Sequence, residues 1–356
     1  MTKPFLSYVS ALILASLVNP CCAWNKAGHM LSGAIAYNEL MQGHLEIVER
    51  VVGIMRSHPQ AALFEVEVAS PMPEAERAQA LFMYMATWAD DIRGIREYDH
   101  PKWHYVNIPY VPSEPGDQSN GTSPDPENIL NALTINVGII RDPQSTEAQK
   151  AIALCWLFHL VDDLHQPLHV ISMMTPELPD GDRGGNLIFV RPSPDKPPMR
   201  LHAFWDNAAT HIDKPSAVSR LATRLTKQPG LKRSSFPLLR DQSFTDEKSF
   251  DSWARAESYP MAVNIAYQGG TLAVASSEER AVVLSSAYLE AAKQLSIRRV
   301  VLSGYRLADV LIALFPPEPR GAIRHPHLRL SRNDSQRPLV ALGPSSIGKA
   351  DARHLR

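Results

Sequence analysis

Apolar positions recur every three or four residues along most of this chain, in blocks parted by proline-rich stretches. The spacing predicts helices over His29 to Met41 and Leu45 to Met55. A third is predicted from Pro73 to Arg93, behind prolines at 71 and 73. Two more follow over Pro126 to Ile140 and Thr146 to Leu164; Thr146 and Gln149 have the spacing of a capping box. Pro198 to His211, Phe250 to Ala266 and two stretches within Ser276 to Phe315 complete the helical set. Strand-like alternation is scarce, with Leu187 to Arg191 the best short run. The pattern therefore predicts a mainly α protein.

The two ends depart from this pattern. Lys3, the apolar run Phe5 to Val18, the break at Pro20 and the small residues Cys21-Cys22-Ala23 read as a signal peptide over residues 1–23, cut ahead of Trp24. The run is short for a bilayer span, so export without a membrane anchor is expected, to the periplasm or the medium. Residues 317–356 hold eight Lys/Arg against three Asp/Glu, with repeated Pro, Ser and Gly, and read as a disordered basic tail. Residues 24–316 are left as the folded body.

Composition agrees with a globular body: 44% of the 356 residues are hydrophobic and 21% charged, which excludes disorder of the whole chain. Of three cysteines, only Cys155 lies outside the leader, so no internal disulfide is expected and Cys155 reads as core. Asn120-Gly121-Thr122 matches a glycosylation acceptor, to which a chain without disulfides gives little weight. Charge is more telling. The chain carries −1, the leader +1 and the tail +5, so residues 24–316 carry −7. Such a body has no basic field for a nucleic acid, unless bound cations reverse the local sign.

Candidate chemistry lies in the histidines. His159 and Asp163 are four apart within an apolar helical stretch and share its face; Pro167 then bends the chain and lets His169 turn back. His202 and Asp206 repeat the spacing. Ionisable groups in an apolar helix need partners, and a divalent cation is an economical one. Trp24-Asn-Lys-Ala-Gly-His29, Thr87-Trp-Ala-Asp90-Asp-Ile-Arg93 and Trp103-His104-Tyr105-Val106-Asn107 add further groups. Singly, Asp90 with Arg93 reads as a helix ion pair and His104 as a partly buried histidine.

Together these segments resemble the S1/P1 nuclease family, in a bacterial-type member. The ordered set is WNKAGH, WADDIR, WHYVN, HLVDDLHQPLH, DRGGN, LHAFWD and Trp253-Ala-Arg-Ala-Glu257-Ser258, from Trp24 to about Phe315. The resemblance implies a single-domain helical fold of the phospholipase C/P1 nuclease type, with a trinuclear zinc site in a cleft. One zinc would be held by Asp90, His104, His159 and Asp163, and a second by His169, His202 and Asp206. A third would take His29, Asp163 and the free amine and carbonyl of Trp24. His165 matches no ligand position and is expected near the ligands or exposed. Arg93 would bind phosphate, Asp90 would serve the attacking water, and Tyr105 and Asn107 would meet a base, with Asn186 close to substrate. The fungal pattern has a carboxylate where Asn107 stands. The implied activity is hydrolysis of single-stranded RNA and DNA to 5′-phosphates, with 3′-mononucleotides as further substrates and no obligate protein partner. A zinc phospholipase C is the nearest alternative; its first ligating histidine lies farther from the N-terminal tryptophan, and its last helical ligand is glutamate, not aspartate. A noncatalytic zinc-binding envelope protein is the alternative of another class.

Overall fold

The computed structural model describes residues 24–69, 72–112, 125–239 and 246–316. The expected leader and basic tail, Asn120 and Pro71 lie outside the described residues. Helices dominate. Asn25 starts α1 (Lys26–Leu40), its side chain accepting from Gly28 N at 2.9 Å. α2 (Leu45–Met55) has the bounds its pattern predicts. α3 (Ala61–Ala69) was not foreseen, because Ala-Ala-Leu-Phe-Glu-Val-Glu-Val-Ala offers no clean helical period. α4 (Glu74–Asp91) carries Asp90 at its end, and α5 (Ile129–Arg141) begins where Asn128 caps it.

α6 (Glu147–Asp163) is the central helix. The Thr146–Gln149 capping box forms as expected. A cap contributes about 1 kcal/mol, whereas each fully buried Leu, Val or Phe contributes about 1.5–3 kcal/mol. Leu154, Leu157, Phe158, Leu160 and Val161 are all buried, so packing holds this helix in place. Cys155 is buried beside Met55, in the core role its sequence context predicts.

α1 packs between α4 and the last helix. Gly33 permits the first approach: a Cβ there would lie 2.5 Å from Phe82 O. Two small sheets pin the loops. β1 (Ile108–Tyr110) runs parallel to β2 (Ile171–Met173), pairing Ile108 with Ile171. β3 (Phe189–Arg191), within the strand predicted over Leu187 to Arg191, lies between antiparallel β4 (Met199–Arg200) and, farther along the chain, a parallel two-residue strand.

The helix expected over Pro198 to His211 shrinks to α7 (Leu201–Asp206). Met199 and Arg200 are drawn into β4, and Asn207 ends the helix with a side-chain bond to Ala203 O. α8 (Pro215–Thr226) was not foreseen, although Pro at its first position and buried Val218, Leu221, Ala222 and Leu225 mark it. The stretch Phe250 to Ala266 is helical but not uniformly α. α9 (Glu247–Ser252) passes into π turns at Trp253–Ser258, then α10 (Tyr259–Met261) and π turns at Ala262–Ala266. After β5 (Val282–Val283), the two expected helical stretches are one helix, α11 (Ser286–Leu314), capped by Ser285. Gly304 does not break it, because that glycine lets the helix press on Ile35 of α1. No helix among the described residues is long and apolar enough to cross a membrane.

Candidate metal centre

α1, α4, α6, α7, the turn after α6 and the segment before β1 deliver imidazoles and carboxylates to one region. Three groups result: Asp90, His104 and His159; His29, His159 and Asp163; His169, His202 and Asp206. Within each, the prospective ligand atoms all lie within 4.8 Å of one another. The eight expected side-chain ligands are thus brought together, Trp24 belonging to none of the three groups, and all eight but Asp90 are fully or nearly fully buried.

Hydrogen bonds fix which ring nitrogens face inward. His159, His169 and His202 each aim Nδ1 at a backbone carbonyl: Ala86 O at 2.8 Å, His104 O at 2.8 Å and Gly184 O at 2.6 Å. A carbonyl only accepts, so each Nδ1 carries the proton and each Nε2, in a neutral ring, presents a lone pair. Yet His169 Nε2 and His202 Nε2 are 3.2 Å apart, and Asp206 Oδ1 stands 3.6 and 3.7 Å from them. His159 Nε2 likewise meets His104 Nδ1 at 3.0 Å and Asp163 Oδ2 at 3.1 Å. Acceptors converging on acceptors in a buried site need a cation. Asp163 faces both ways: Oδ2 is 3.1 Å from His104 Nδ1, and Oδ1 is 3.6 Å from His29 Nε2. That Oδ1, with His29 Nε2 and His104 Nε2, has no hydrogen-bond partner.

Titration expresses the same demand. Burial lowers His104 and His169 to about 4, which keeps both rings neutral as ligands. Burial raises the Asp206 carboxyl to about 8. Burial also works against the charged forms of His159 and Asp163, but their mutual attraction, with Asp90 aiding His159, raises His159 to about 9 and holds Asp163 well below its ordinary range. With protein groups alone, protons must supply positive charge that the fold itself lacks here.

Supporting residues escaped the sequence reading. Asp162 Oδ2 lies 3.0 Å from His29 Nδ1, and its carboxylate accepts from Ser303 of α11. Gln166 donates to Asp206 at 2.7 Å. Asp182 accepts from the amides of Met173, Gly184 and Gly185 and from the Tyr267 hydroxyl, which shapes the Asp-Arg-Gly-Gly-Asn loop. Gly184 and Gly185 have φ of 64° and 82°, and a Cβ on Gly184 would strike Leu168 O at 2.3 Å; only glycine fits that approach. His165 is fully buried, not exposed: its Nδ1 bonds Val161 O and its Nε2 accepts from Arg306. Two signals were legible. Asp162 belongs to a pair of acids in an apolar helix, and Arg299 and Arg306 lie two turns apart on another.

A cavity of about 510 Å³ opens over this centre. Its walls include His104, His169, His202, Arg93, Tyr105, Asn107 and Asn186. Arg93 holds Asp90 Oδ1 through Nε at 2.9 Å and Nη2 at 2.7 Å. Trp24 is buried, with its indole on Asp162 O at 3.1 Å; the next amide, Asn25 N, donates to Asp206 O at 3.1 Å.

Fold and site together define a mainly helical protein with three His/Asp groups able to hold metal ions beside one cleft. The S1/P1 nuclease family model matches residues 24–316, and the chain belongs to that family. It is an endonuclease, a hydrolase acting on phosphodiester bonds. Among similar proteins, Endonuclease 4 of Arabidopsis thaliana is 24% identical over 337 residues, covering 88% of this chain and 97% of that protein. Endonuclease 5 of the same plant is 24% identical over 328 residues, with the same coverage. Endonuclease 3 is 25% identical over 213 residues, 56% of this chain and 58% of that protein.

Proposed function

We propose that this chain is an exported, three-zinc nuclease that cuts single-stranded RNA and DNA to 5′-phosphate products and also removes phosphate from 3′-mononucleotides. The observation that carries this reading is the convergence of imidazole lone pairs and carboxylates in buried groups. Asp90, His104, His159 and Asp163 would hold one zinc, and His169, His202 and Asp206 a second. His29, Asp163 and the amine and carbonyl of Trp24 would hold the third. The all-N/O donor set suits zinc in a catalytic site. Zinc bound there supplies Lewis acidity and lowers the pKa of water to about 7.

The chain's own residues do the rest. Asp90 orients the attacking water and accepts its proton. As the water oxygen bonds to phosphorus and the bond to the 3′-oxygen breaks, Arg93 hydrogen-bonds a non-bridging phosphate oxygen where charge builds. Tyr105 stacks a base, a contact of about 1–3 kcal/mol that needs the base unstacked and so favours single strands. Asn107, able to donate and accept, reads that base's edge, and Asn186, on the cavity wall, lies close to the substrate.

The test is zinc counting beside hydrolysis. Protein beginning at Trp24 is expected to hold three zincs and to cut poly(A) and single-stranded DNA faster than duplex. Turnover of phosphatidylcholine with nucleic acid left intact, or of no ester at all, would overturn the reading. A version with one extra residue ahead of Trp24 should hold two zincs, since its amine is then an amide; three would remove the amine from the ligand set. Arg93→Ala should lower kcat/KM by about 10²–10³-fold, the scale of losing one oxyanion donor. Its zinc count should stay unchanged, and a normal rate would take the phosphate role from Arg93.

A further inference from the structure

We infer that Arg183 and Arg200 form a second phosphate subsite, beside the reacting phosphate, that recognises the next phosphate of a polynucleotide strand. The inference rests on the phosphodiesterase reading and names its substrate more closely. Both residues line the cavity that opens over the metal centre. They come from two segments bonded to each other: His202 N donates to Gly185 O at 3.3 Å, and Arg200 pairs with Phe189 across β3 and β4.

Neither guanidinium has a hydrogen bond, an ion pair or an aromatic ring as partner among the described residues. Arg93 differs, being spent partly on Asp90. One carboxylate, Asp180, lines the same cavity and pairs with neither arginine. Two uncommitted cations lining one cavity are unexpected in a body of charge −7.

The backbone at Arg183 adds an independent observation. Its φ is 57°, a left-handed conformation unfavourable for a residue with a side chain. The loop enforces it. Asp182 gathers the amides of Gly184 and Gly185, Arg183 N donates to Ser172 Oγ at 3.2 Å, and Asn186 Nδ2 donates to Arg183 O at 2.9 Å. The strained position keeps a cation at the cavity wall. Guanidinium matches phosphate bidentately. The metal groups and Arg93 account for one phosphate, and a strand brings another with every nucleotide.

The experiment compares zinc-loaded wild type with the Arg183→Ala/Arg200→Ala double variant. Substrates are a dinucleoside monophosphate, which has one phosphate, and a single-stranded hexanucleotide. The double variant should lose about 10- to 100-fold in kcat/KM on the hexanucleotide, the scale of charged hydrogen bonds, and nothing on the dinucleoside. Hexanucleotide binding should lose about 0.7 in its log–log salt slope for each phosphate contact removed. Equal loss on both substrates, or no loss on the hexanucleotide, overturns the subsite. If wild type cuts neither substrate, the phosphodiesterase reading fails instead. Fluorescence anisotropy of the hexanucleotide then decides the subsite: weaker binding by the double variant upholds it, and equal binding overturns it.

Discussion

Asp163→Ala should lower phosphodiester turnover by about 10³-fold or more, a loss at least as large as removing a single electrostatic stabiliser, and should take metal from two positions together. The reason is geometric. Asp163 Oδ2 stands 3.1 Å from both His104 Nδ1 and His159 Nε2, while Oδ1 stands 3.6 Å from His29 Nε2. No other carboxylate in the three groups faces two of them in this way. Alanine would also leave a buried void at the end of α6. Asp163→Asn separates the effects, because it keeps the volume and one oxygen but not the charge. Zinc counting and kinetics on both variants check the argument. Three zincs retained by the alanine variant, with turnover near normal, would remove the bridging role.

Much of this site was legible from spacing. His159 with Asp163, and His202 with Asp206, are four apart on helices, so a shared face follows from the helical repeat. The close approach of His169 to His202 was not legible from spacing and entered only through the family resemblance, since it depends on the turn at Pro167 and on two glycines after Asp182. Fold class was legible for the same reason as the helices: α2 carries a strong, well-bounded apolar period, and α6 is a long apolar run opened by a capping box. Short elements were lost where three-dimensional pairing decides. β1 and β2 are three residues each and exist because Ile108 to Tyr110 meet Ile171 to Met173 across more than sixty positions of chain. The truncation of α7 has the same origin, because β3 claims Met199 and Arg200 before the helix begins. Orienting groups are the hardest to read in a sequence. Ser303, which bonds Asp162, is far along the chain and looks like any small residue in a buried helix.

Glu257→Ala should destabilise the protein by about 3–5 kcal/mol, the cost of stranding a buried charge by removing its partner, and should weaken zinc binding as well. Glu257 Oε1 takes Arg306 Nη2 at 2.5 Å; Oε2 takes Arg306 Nη1 and Arg299 Nη1, both at 2.9 Å. Burial pulls Arg299 down only to about 10, so it stays charged at neutral pH and cannot escape by losing its proton. The network reaches the ligand-bearing turn at two carbonyls. Arg299 Nε donates to His165 O at 3.0 Å, and Ser258, which accepts from Arg299, donates to Leu164 O at 2.7 Å. Those residues follow Asp163 directly and lead to His169. The turn is therefore held in register with α6 by charges it does not itself carry. Denaturant unfolding and zinc affinity, measured on the folded fraction, test both halves. Outer-shell groups around a metal are worth about 10- to 100-fold in affinity. Replacing Glu257, Arg299 and Arg306 together by apolar residues of similar size should recover much of the stability. If it does so while zinc affinity stays low, the network's task is to place the ligands. Full recovery of zinc affinity would make it a packing solution alone.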